Sequence, residues 1–250
     1  MKAFVTTVAG LSTRFTRGIS KPVLKCIYYE KDPSHTLLYH LLSMMDGYDE
    51  LIVVGGYQFD ALQDYVECYI PHEIADKITL VYNKEYSTYG TGWSLYKGLQ
   101  ILEKKQLECI LFAEGDLYVD PKSIQRISDC GGDVITVNRY PIEADKTVAV
   151  YFSIEGRPRY IYDTAHSVLR VPEPFKSIYN SAQIWKFANP ARLFRLMNTL
   201  QLHDLQATNL ALIESYFGEI SSIKKIQILP VNTWINCNSI QDFRQIEFEQ

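Results

Sequence analysis

A loop near the start of the sequence has the composition of a phosphate-binding site. Small residues dominate the end of the first apolar stretch and the positions after it: Thr6, Thr7, Gly10, Ser12 and Thr13. Small side chains let backbone amides approach a bound anion. The same loop contains three basic residues: Arg14, Arg17 and Lys21. The combination suits a triphosphate, which carries several negative charges. The alternative is a hydrophilic turn whose charges are only solvated.

The spacing in this loop excludes two common phosphate motifs. The pattern GxGxxG is not met, because Ser12 stands at the middle glycine and no glycine follows at the third position. The pattern GxxxxGK[ST] is not met either. A dinucleotide-binding fold is therefore poorly supported, and a P-loop is excluded.

An acidic residue further along the chain is the best candidate for a metal ligand. In "CILFAEGDLYVD", residues 109–120, Asp116 lies just after an apolar stretch that predicts a buried strand. A carboxylate at such a strand end can bind Mg2+ held between triphosphate oxygens. We expect the neighbouring Glu114 and Asp120 to face solvent or to cap the helix that begins at Pro121.

Apolar stretches and helical patterns alternate along the first 153 residues. The predicted strands are continuous apolar runs, as in strands buried on both faces: Ala3–Val8, Leu51–Val54, Ile78–Val81, Cys109–Phe112, Asp133–Val137 and Val148–Ser153. The predicted helices have apolar residues at helical spacing: Thr36–Met45, Phe59–Cys68, Gly92–Leu102 and Pro121–Ser128. This alternation predicts an α/β doubly wound sheet with ligands at the carboxyl ends of its strands.

The pattern is less regular after Asn138. Short strands are expected around the turn "EGRP", and a helix is expected over Pro190–Leu200, beginning near Asn189. A further strand is predicted at Ile226–Leu229 and a closing helix at Ile240–Phe248. The 250 residues contain no internal repeat or low-complexity linker, so we expect one domain.

Composition limits the kind of partner. The 25 basic and 29 acidic residues are interspersed and give a formal net charge of -4, which disfavours nucleic acid and anionic membranes as partners. Five separated cysteines without a CxxC pair predict reduced thiols and no zinc site. No apolar segment is long enough to span a membrane, so we expect a cytoplasmic protein.

The first loop resembles the signature of a known enzyme superfamily. "GLSTRF" and "RGISKPVLK" are similar to the loop G-x-G-T-R and the following P-K-x-L-like segment of the nucleotidyltransferases that make nucleotide-activated sugars and phosphorylated alcohols. "TRGISK" is especially similar to glucose-1-phosphate thymidylyltransferases. The resemblance implies that Arg14 holds the triphosphate and that Lys21 neutralises charge at the α-phosphate. Ser12 replaces a usual glycine, and Ser20 replaces a proline often found before the lysine.

A second segment resembles the part of these enzymes that recognises the base. In "NKEYSTYGTGWSLYKGLQ", residues 83–100, the triplet Gly90–Gly92 is similar to the G-T-G of uridylyltransferases, whereas "WSLY" is similar to bacterial phosphocholine cytidylyltransferases. A tight turn at a helix start is the structural alternative. The resemblance implies that these two segments bind the nucleotide through Val8, Ala9, Gly10, Leu11, Ser12, Thr13, Tyr89, Gly90, Thr91, Gly92 and Ser94.

The last signature of the superfamily is matched less closely. In "LPVNTWINCNSIQDFRQIE", residues 229–247, Asn238 stands where a second metal-binding aspartate is usual. An asparagine oxygen can also bind Mg2+, and the related uridylyltransferases place asparagine there. The resemblance thus implies a magnesium cofactor held by Asp116 and Asn238, with Asn236 available to an acceptor. Turn stabilisation by either asparagine is the alternative.

The resemblance, which is strongest to the small phosphocholine cytidylyltransferases, implies a Rossmann-like, three-layer α/β/α nucleotidyltransferase (GT-A-like) fold with a small β-rich appendage. Residues 1–137 would bind the nucleotide, residues 138–225 the acceptor, and residues 226–250 would form the closing signature. An acceptor phosphate oxygen would attack the α-phosphorus and release pyrophosphate without a general base. Such a reaction would serve cell-surface polysaccharide biosynthesis.

Several pairs of substrates agree with the resemblance. CTP is the first expectation and UTP the second; the acceptor would be phosphocholine, phosphoethanolamine, phosphoglutamine, a phosphonate or a sugar 1-phosphate. Acceptor contacts are expected from Arg139, Tyr140, Tyr179 and Asn236, with Lys146, Tyr160 and Tyr162 as further candidates. A non-catalytic nucleotide-binding homologue and a metal-dependent glycosyltransferase are the alternatives of other classes.

Overall fold

A computed structural model of the chain describes residues 1–17, 19, 21–144, 146–162, 168–219 and 226–248. Ser20, which the resemblance compares with a proline, lies outside these ranges, as do parts of the predicted acceptor segment 138–225 and the last two residues of the closing signature.

The main sheet is mostly parallel, and its strand order is β10-β6-β9-β4-β1-β2-β3. The strands are β1 Lys2–Thr7, β2 Glu50–Gly55, β3 Ile78–Tyr82, β4 Cys109–Glu114, β5 Leu117–Val119, β6 Asp133–Asn138, β7 Ala149–Ser153, β8 Pro158–Ile161, β9 Phe175–Phe187, β10 Ile226–Pro230 and β11 Trp234–Asn236. Only β9 runs antiparallel to its neighbours β4 and β6 in this order. The predicted doubly wound α/β sheet is confirmed.

Helices cover both faces of the sheet. They are α1 Thr13–Thr16, α2 Leu37–Ser43, α3 Phe59–Tyr69, α4 His72–Ala75, α5 Thr91–Leu102, α6 Pro121–Asp129, α7 Pro190–Thr199, α8 Leu202–Gln206, α9 Leu210–Gly218 and α10 Ile240–Phe243. One apolar core lies under α2, α3 and α6, and another lies under α5, α7 and α9. The predicted three-layer α/β/α arrangement is therefore confirmed.

The continuous apolar character of the central strands follows from this double covering. In β4, Leu111 faces the first core and Phe112 faces the second. Their partners in β1, Phe4 and Val5, point to the same two faces. At the sheet edge, β3 is only half-buried, so the expectation of burial on both faces was wrong for Ile78–Val81.

The appendage is built on one long strand. The amino-terminal half of β9 pairs with β7, which pairs with β8 around the "EGRP" turn, whereas its carboxyl-terminal half lies in the main sheet. At the junction, Gln183 has a positive φ of 58°, and the pairing with β6 shifts register. The β-rich appendage was predicted, but the strand that joins it to the main sheet was not.

One predicted helix boundary agrees with the structure and another differs. The helix after Asn189 begins as expected, because the Asn189 side chain accepts a hydrogen bond from the Arg192 amide. The closing helix ends at Phe243 rather than at Phe248. Beyond this end, the Phe248 ring stacks on the His35 ring, with centroids 5.3 Å apart, and contacts the Tyr118 ring.

Candidate functional site

The loop after β1 leaves its backbone amides open at the carboxyl end of the sheet. The Val8 amide donates to Val54 and anchors the start of the loop. Within the described part of the chain, the amides of residues 9–12 donate to no acceptor. A side chain at Gly10 would meet no atom within 4 Å. The loop therefore has donors and space for an anion.

Ser12 has the backbone conformation that favours glycine. Its φ of 54° lies in the left-handed region, which a residue with a Cβ enters at a cost of about 1–2 kcal/mol. Its Oγ accepts a hydrogen bond from the Lys25 amide at 3.1 Å. Ser12 thus has a conformation that glycine adopts without this cost, and its hydroxyl links the loop to the segment at Lys25.

Asp116 lies opposite this loop at the end of β4. Gly115 permits the approach, because a Cβ there would come within 2.3 Å of Val8 Cγ1. The Asp116 carboxylate forms an ion pair with Lys25 Nζ at 2.9 Å, and both side chains are largely shielded, with 29% and 16% exposure. The lysine that reaches Asp116 is therefore Lys25. Lys21 is exposed and lines none of the clefts described below.

The carboxyl-terminal segment carries two asparagines to the same place. Strand β11 pairs antiparallel with β5, which sets Asn236 opposite Leu117. A capping box of Ser239 and Asp242 then fixes the turn, and Asp242 accepts from the Asn238 amide at 3.0 Å. Asn238 Oδ1 accepts from the Arg14 guanidinium at 2.9 Å. The predicted residues Arg14 and Asn238 are therefore in contact.

Three adjoining clefts surround these residues. The inner cleft, of about 140 Å3, is lined by the loop at Gly10 and Ser12, by Lys25 and by Ser94. The middle cleft, of about 320 Å3, adjoins it at Thr91, Glu114 and Asp116. The outer cleft, of about 410 Å3, adjoins the middle one at Arg14, Lys146, Asn236 and Asn238. Two ligands could therefore meet between Asp116 and Asn238.

Glu114 is the group that sequence reasoning misplaced. It lines both the inner and the middle clefts rather than facing open solvent. Burial and the nearby Asp116 carboxylate raise the pKa of Glu114 to about 7, against the opposing effect of hydrogen bonds from Asn209 and Thr7. Asp120, in contrast, caps α6 as predicted, accepting from the Ser123 amide at 3.0 Å.

The Gly90–Gly92 triplet packs against the chain before α9. The Gly90 and Gly92 amides donate to Gln206 and Ala207. A Cβ at Gly90 would lie 2.2 Å from the Ala207 oxygen, and one at Gly92 would lie 2.6 Å from the Leu205 oxygen. Close backbone packing therefore accounts for both glycines, whereas Thr91 lines both the inner and middle clefts.

The other predicted contacts divide into two groups. Ser94 lines the inner cleft, and Tyr140 and Asn236 line the outer one. Asn236 Oδ1 is buried and has no partner among the described residues. Tyr89, Arg139 and Tyr179 line none of the three clefts. Tyr160 is buried and its hydroxyl accepts from Trp185 at 2.6 Å, so it belongs to the core.

The sequence did not indicate some of the lining residues. Gln183, Trp185 and Asn209 line the clefts without belonging to a quoted motif, and Lys25 ends the quoted segment "RGISKPVLK" but was assigned no role. The positive φ of Gln183 is a structural signal at the site, because strained backbone occurs preferentially at functional positions. For Lys25, the basic character of "KPVLK" was the available signal.

The two predicted metal ligands do not fit a divalent ion as they are arranged. Mg2+ prefers oxygen ligands in an octahedron that usually includes one or two carboxylates. Here the Asp116 carboxylate is paired with an ammonium group, and the Asn238 oxygen is paired with a guanidinium. The described residues contain no group of three or more histidine, cysteine, aspartate or glutamate side chains that could hold a metal.

Solved structures define the class of fold. The chain is similar to an inositol-1-phosphate CTP transferase from T. maritima at 13% identity, with a TM-score of 0.64, covering 97% of this chain and 91% of the other. It is similar to a UDP-glucose pyrophosphorylase complexed with UDP-glucose at 12% identity, with a TM-score of 0.66 and coverages of 98% and 96%. It is also similar to a protein from Bacillus anthracis named as a putative glucose-1-phosphate thymidylyltransferase, in complex with sucrose. The identity is 11% and the TM-score is 0.71, and the match covers 100% of this chain and 98% of the other. The chain thus has the Rossmann-like fold of nucleotidyltransferases.

The family is defined by sequence. The model of a domain of unknown function, DUF6564, matches residues 21–250, and the chain belongs to this family. A search of curated proteins finds no significant match. Within the described ranges, no helix has the length and apolar character needed to cross a lipid bilayer.

Proposed function

We propose that this protein is a nucleotidyltransferase that joins a nucleoside triphosphate to a small phosphorylated acceptor and releases pyrophosphate. The observation that carries the proposal is the junction of the clefts. The open loop amides, Lys25 and Asp116 line the inner cleft, on the nucleotide side. Arg14, Asn236 and Asn238 line both the middle cleft and the outer cleft, on the acceptor side. A phosphate oxygen is already a nucleophile, so alignment and charge neutralisation are the tasks left to the protein.

A pyrimidine nucleotide is the preferred donor in this proposal. The inner cleft is the smallest of the three and offers the Ser94 hydroxyl, which accepts from Asn83 at 2.9 Å. The segment containing Ser94 is the one that resembles cytidylyltransferases, so we propose CTP first and UTP second. The similar solved proteins include a CTP transferase and a UDP-glucose pyrophosphorylase.

The outer cleft favours a phosphorylated amino alcohol as acceptor. The rings of Tyr140 and Trp234 lie 6.0 Å apart there, and the Glu143 carboxylate lines the same cleft. Aromatic faces with a carboxylate suit an ammonium head group. Glu143 pairs with Lys146 at 2.7 Å, but both side chains are exposed, and such pairs contribute little stability. Phosphocholine and phosphoethanolamine are thus the first acceptors, and sugar 1-phosphates are the alternative.

The test is pyrophosphate release across a matrix of substrates. CTP, UTP, dTTP, ATP and GTP are each incubated with phosphocholine, phosphoethanolamine, aminoethylphosphonate, phosphoglutamine and hexose 1-phosphates, in EDTA and in Mg2+. We expect pyrophosphate release with one pair of nucleotide and acceptor. R14A should reduce the rate of this release about 10²–10³-fold, because it removes one hydrogen-bond donor to the transition state. K31M, at an exposed lysine outside the clefts, is the control.

The arrangement also favours a second candidate, a non-catalytic nucleotide-binding protein. The side chains that would face the substrates are already paired with one another, Lys25 with Asp116 and Arg14 with Asn238. Nucleotide binding without pyrophosphate release from any pair would support this candidate. Consumption of a nucleotide sugar without pyrophosphate release would instead indicate a glycosyltransferase.

A further inference from the structure

Lys25 occupies a defined position beside Asp116. Its ammonium group lies 2.9 Å from Asp116 Oδ2, and its own amide donates to Ser12 at 3.1 Å. It begins a short 3-10 turn, Lys25–Ile27, whose central residue Cys26 is buried. The backbone of Lys25 is thus fixed to the open loop, and its charge is fixed to the end of β4.

The position is the one where the resemblance places a divalent cation. A metal at Asp116 would have the Lys25 ammonium as a neighbour on the same carboxylate. Towards Asn238 it would meet the Arg14 guanidinium. Like charges at these distances oppose binding strongly. Among the described residues that line the inner and middle clefts, the only other carboxylate is Glu114, whose oxygens accept hydrogen bonds from Thr7 and Asn209.

We propose that the Lys25 ammonium takes the place of the divalent cation, so that this protein binds the triphosphate of its nucleotide without a metal ion. The inference rests on the proposed nucleotide site. Lysine is a compact charge with three donors, and it binds phosphate oxygens as a point charge. Asp116 would then act as a positioning residue, which holds the ammonium against the inner cleft.

The arrangement of donors around the inner cleft supports this role. Lys25, Gly10, Ser12 and Asp116 all line this cleft, and Lys25 Nζ lies 2.9 Å from Asp116 Oδ2. An ammonium group between a carboxylate and a phosphate oxygen can donate to both at once, because it has three N–H groups. The free tetra-anion of the nucleotide, rather than its magnesium complex, would be the preferred ligand.

The test compares nucleotide binding with and without metal. Titration calorimetry with CTP and UTP is carried out in EDTA and in excess Mg2+ on the wild type, K25M and K31M. The wild type and K31M are expected to bind equally well in EDTA, within about 3-fold of each other. K25M should bind these nucleotides at least about 10-fold more weakly in EDTA, because it loses one charge-assisted contact. Mg2+ should restore part of the K25M affinity.

A direct metal readout accompanies the titration. Electron paramagnetic resonance of Mn2+ should detect no protein-bound ion with the wild type and a bound ion with K25M, because the Asp116 carboxylate is then released. K25R, which retains the charge, is the second variant if K25M does not fold, and it should keep metal-independent binding.

The outcomes separate the two proposals. Wild-type binding that appears only with Mg2+ would overturn the role of Lys25 and leave the nucleotide site in place. Binding in EDTA that K25M does not weaken would also overturn it. Absence of binding to any nucleotide, with or without metal, would remove the proposed function and this inference together.

Discussion

At the scale of single residues, Ser12 combines backbone strain with a useful hydrogen bond. Its φ of 54° costs about 1–2 kcal/mol, whereas its bond from the Lys25 amide contributes about 1 kcal/mol. S12G removes both the backbone strain and the hydrogen bond, whereas S12A removes only the hydrogen bond. We therefore expect S12A to be less stable than S12G by about 1 kcal/mol, measured by urea unfolding. Equal stabilities would show that the left-handed turn does not persist in solution.

Glu114 makes stability depend on pH in a particular direction. Its pKa is raised from the ordinary carboxyl value to about 7, so the folded protein holds this proton more tightly than the unfolded chain. Its contribution to stability is therefore greatest below the ordinary carboxyl pKa and is lost as pH rises to about 7. Relative to the wild type, E114Q should gain stability between pH 5 and pH 8, on the order of 1–3 kcal/mol.

The control for E114Q is the same substitution at a glutamate that is exposed to solvent. Glu67 is exposed on α3, and E67Q is the control variant, which removes one surface carboxyl group. Thermal unfolding of the three proteins across this pH range provides the measurement. A pH profile of E114Q parallel to that of the wild type would contradict the raised pKa.

At the scale of elements, the loop after β1 has room for a larger side chain at Gly10 without disturbing the fold. A side chain at Gly10 meets no atom within 4 Å and requires no unusual backbone, so G10V should change the free energy of unfolding by less than about 0.5 kcal/mol. The valine would occupy the inner cleft, so we expect nucleotide affinity to fall by at least about 10-fold. G131V, at a glycine with equal space outside the clefts, should change neither quantity. Unchanged nucleotide affinity of G10V would place the triphosphate elsewhere.

The end of α6 depends on a buried lysine. Lys186, on β9, is 4% exposed and donates to the carbonyl oxygens of Ile127, Ser128 and Cys130. These carbonyls carry the negative end of the helix dipole, so the charge stabilises them. K186M should destabilise the protein by about 2–4 kcal/mol, because it leaves buried acceptors without donors. Chemical denaturation of K186M beside K104M, at an exposed lysine, tests this; equal stabilities would contradict it.

The sequence predicted the elements better than the contacts between them. The apolar runs located the central strands because these strands are buried on both faces. Asp116, Asn238 and Arg14 were proposed from their motifs, and all three line the middle cleft. Lys25 was missed, because motif spacing does not fix which lysine in "KPVLK" the loop turns inward. The length of β9 was missed as well, because its pairings join residues far apart in the chain.

At the scale of the whole molecule, residues 1–137, the part proposed to bind the nucleotide, are not expected to fold alone. Strand β9 lies between β4 and β6, so a fragment of residues 1–137 lacks the strand that joins them. In this fragment, β4 and β6 would each expose an unpaired apolar edge. We expect this fragment to unfold without a cooperative transition, whereas the full chain unfolds cooperatively, as followed by circular dichroism. A sigmoidal transition with dispersed amide resonances for the fragment would contradict this.

The position of β9 also has a consequence for synthesis of the protein in the cell. The edge of β4 at Ile110–Ala113 pairs with Ile184–Phe187, which are translated about 70 residues later. At about 5–20 residues per second, this edge stays unpaired for roughly 4–14 s on the ribosome. An apolar edge exposed for that time invites aggregation. The yield of soluble protein should therefore depend on the supply of chaperones during translation more than on the stability of the finished fold.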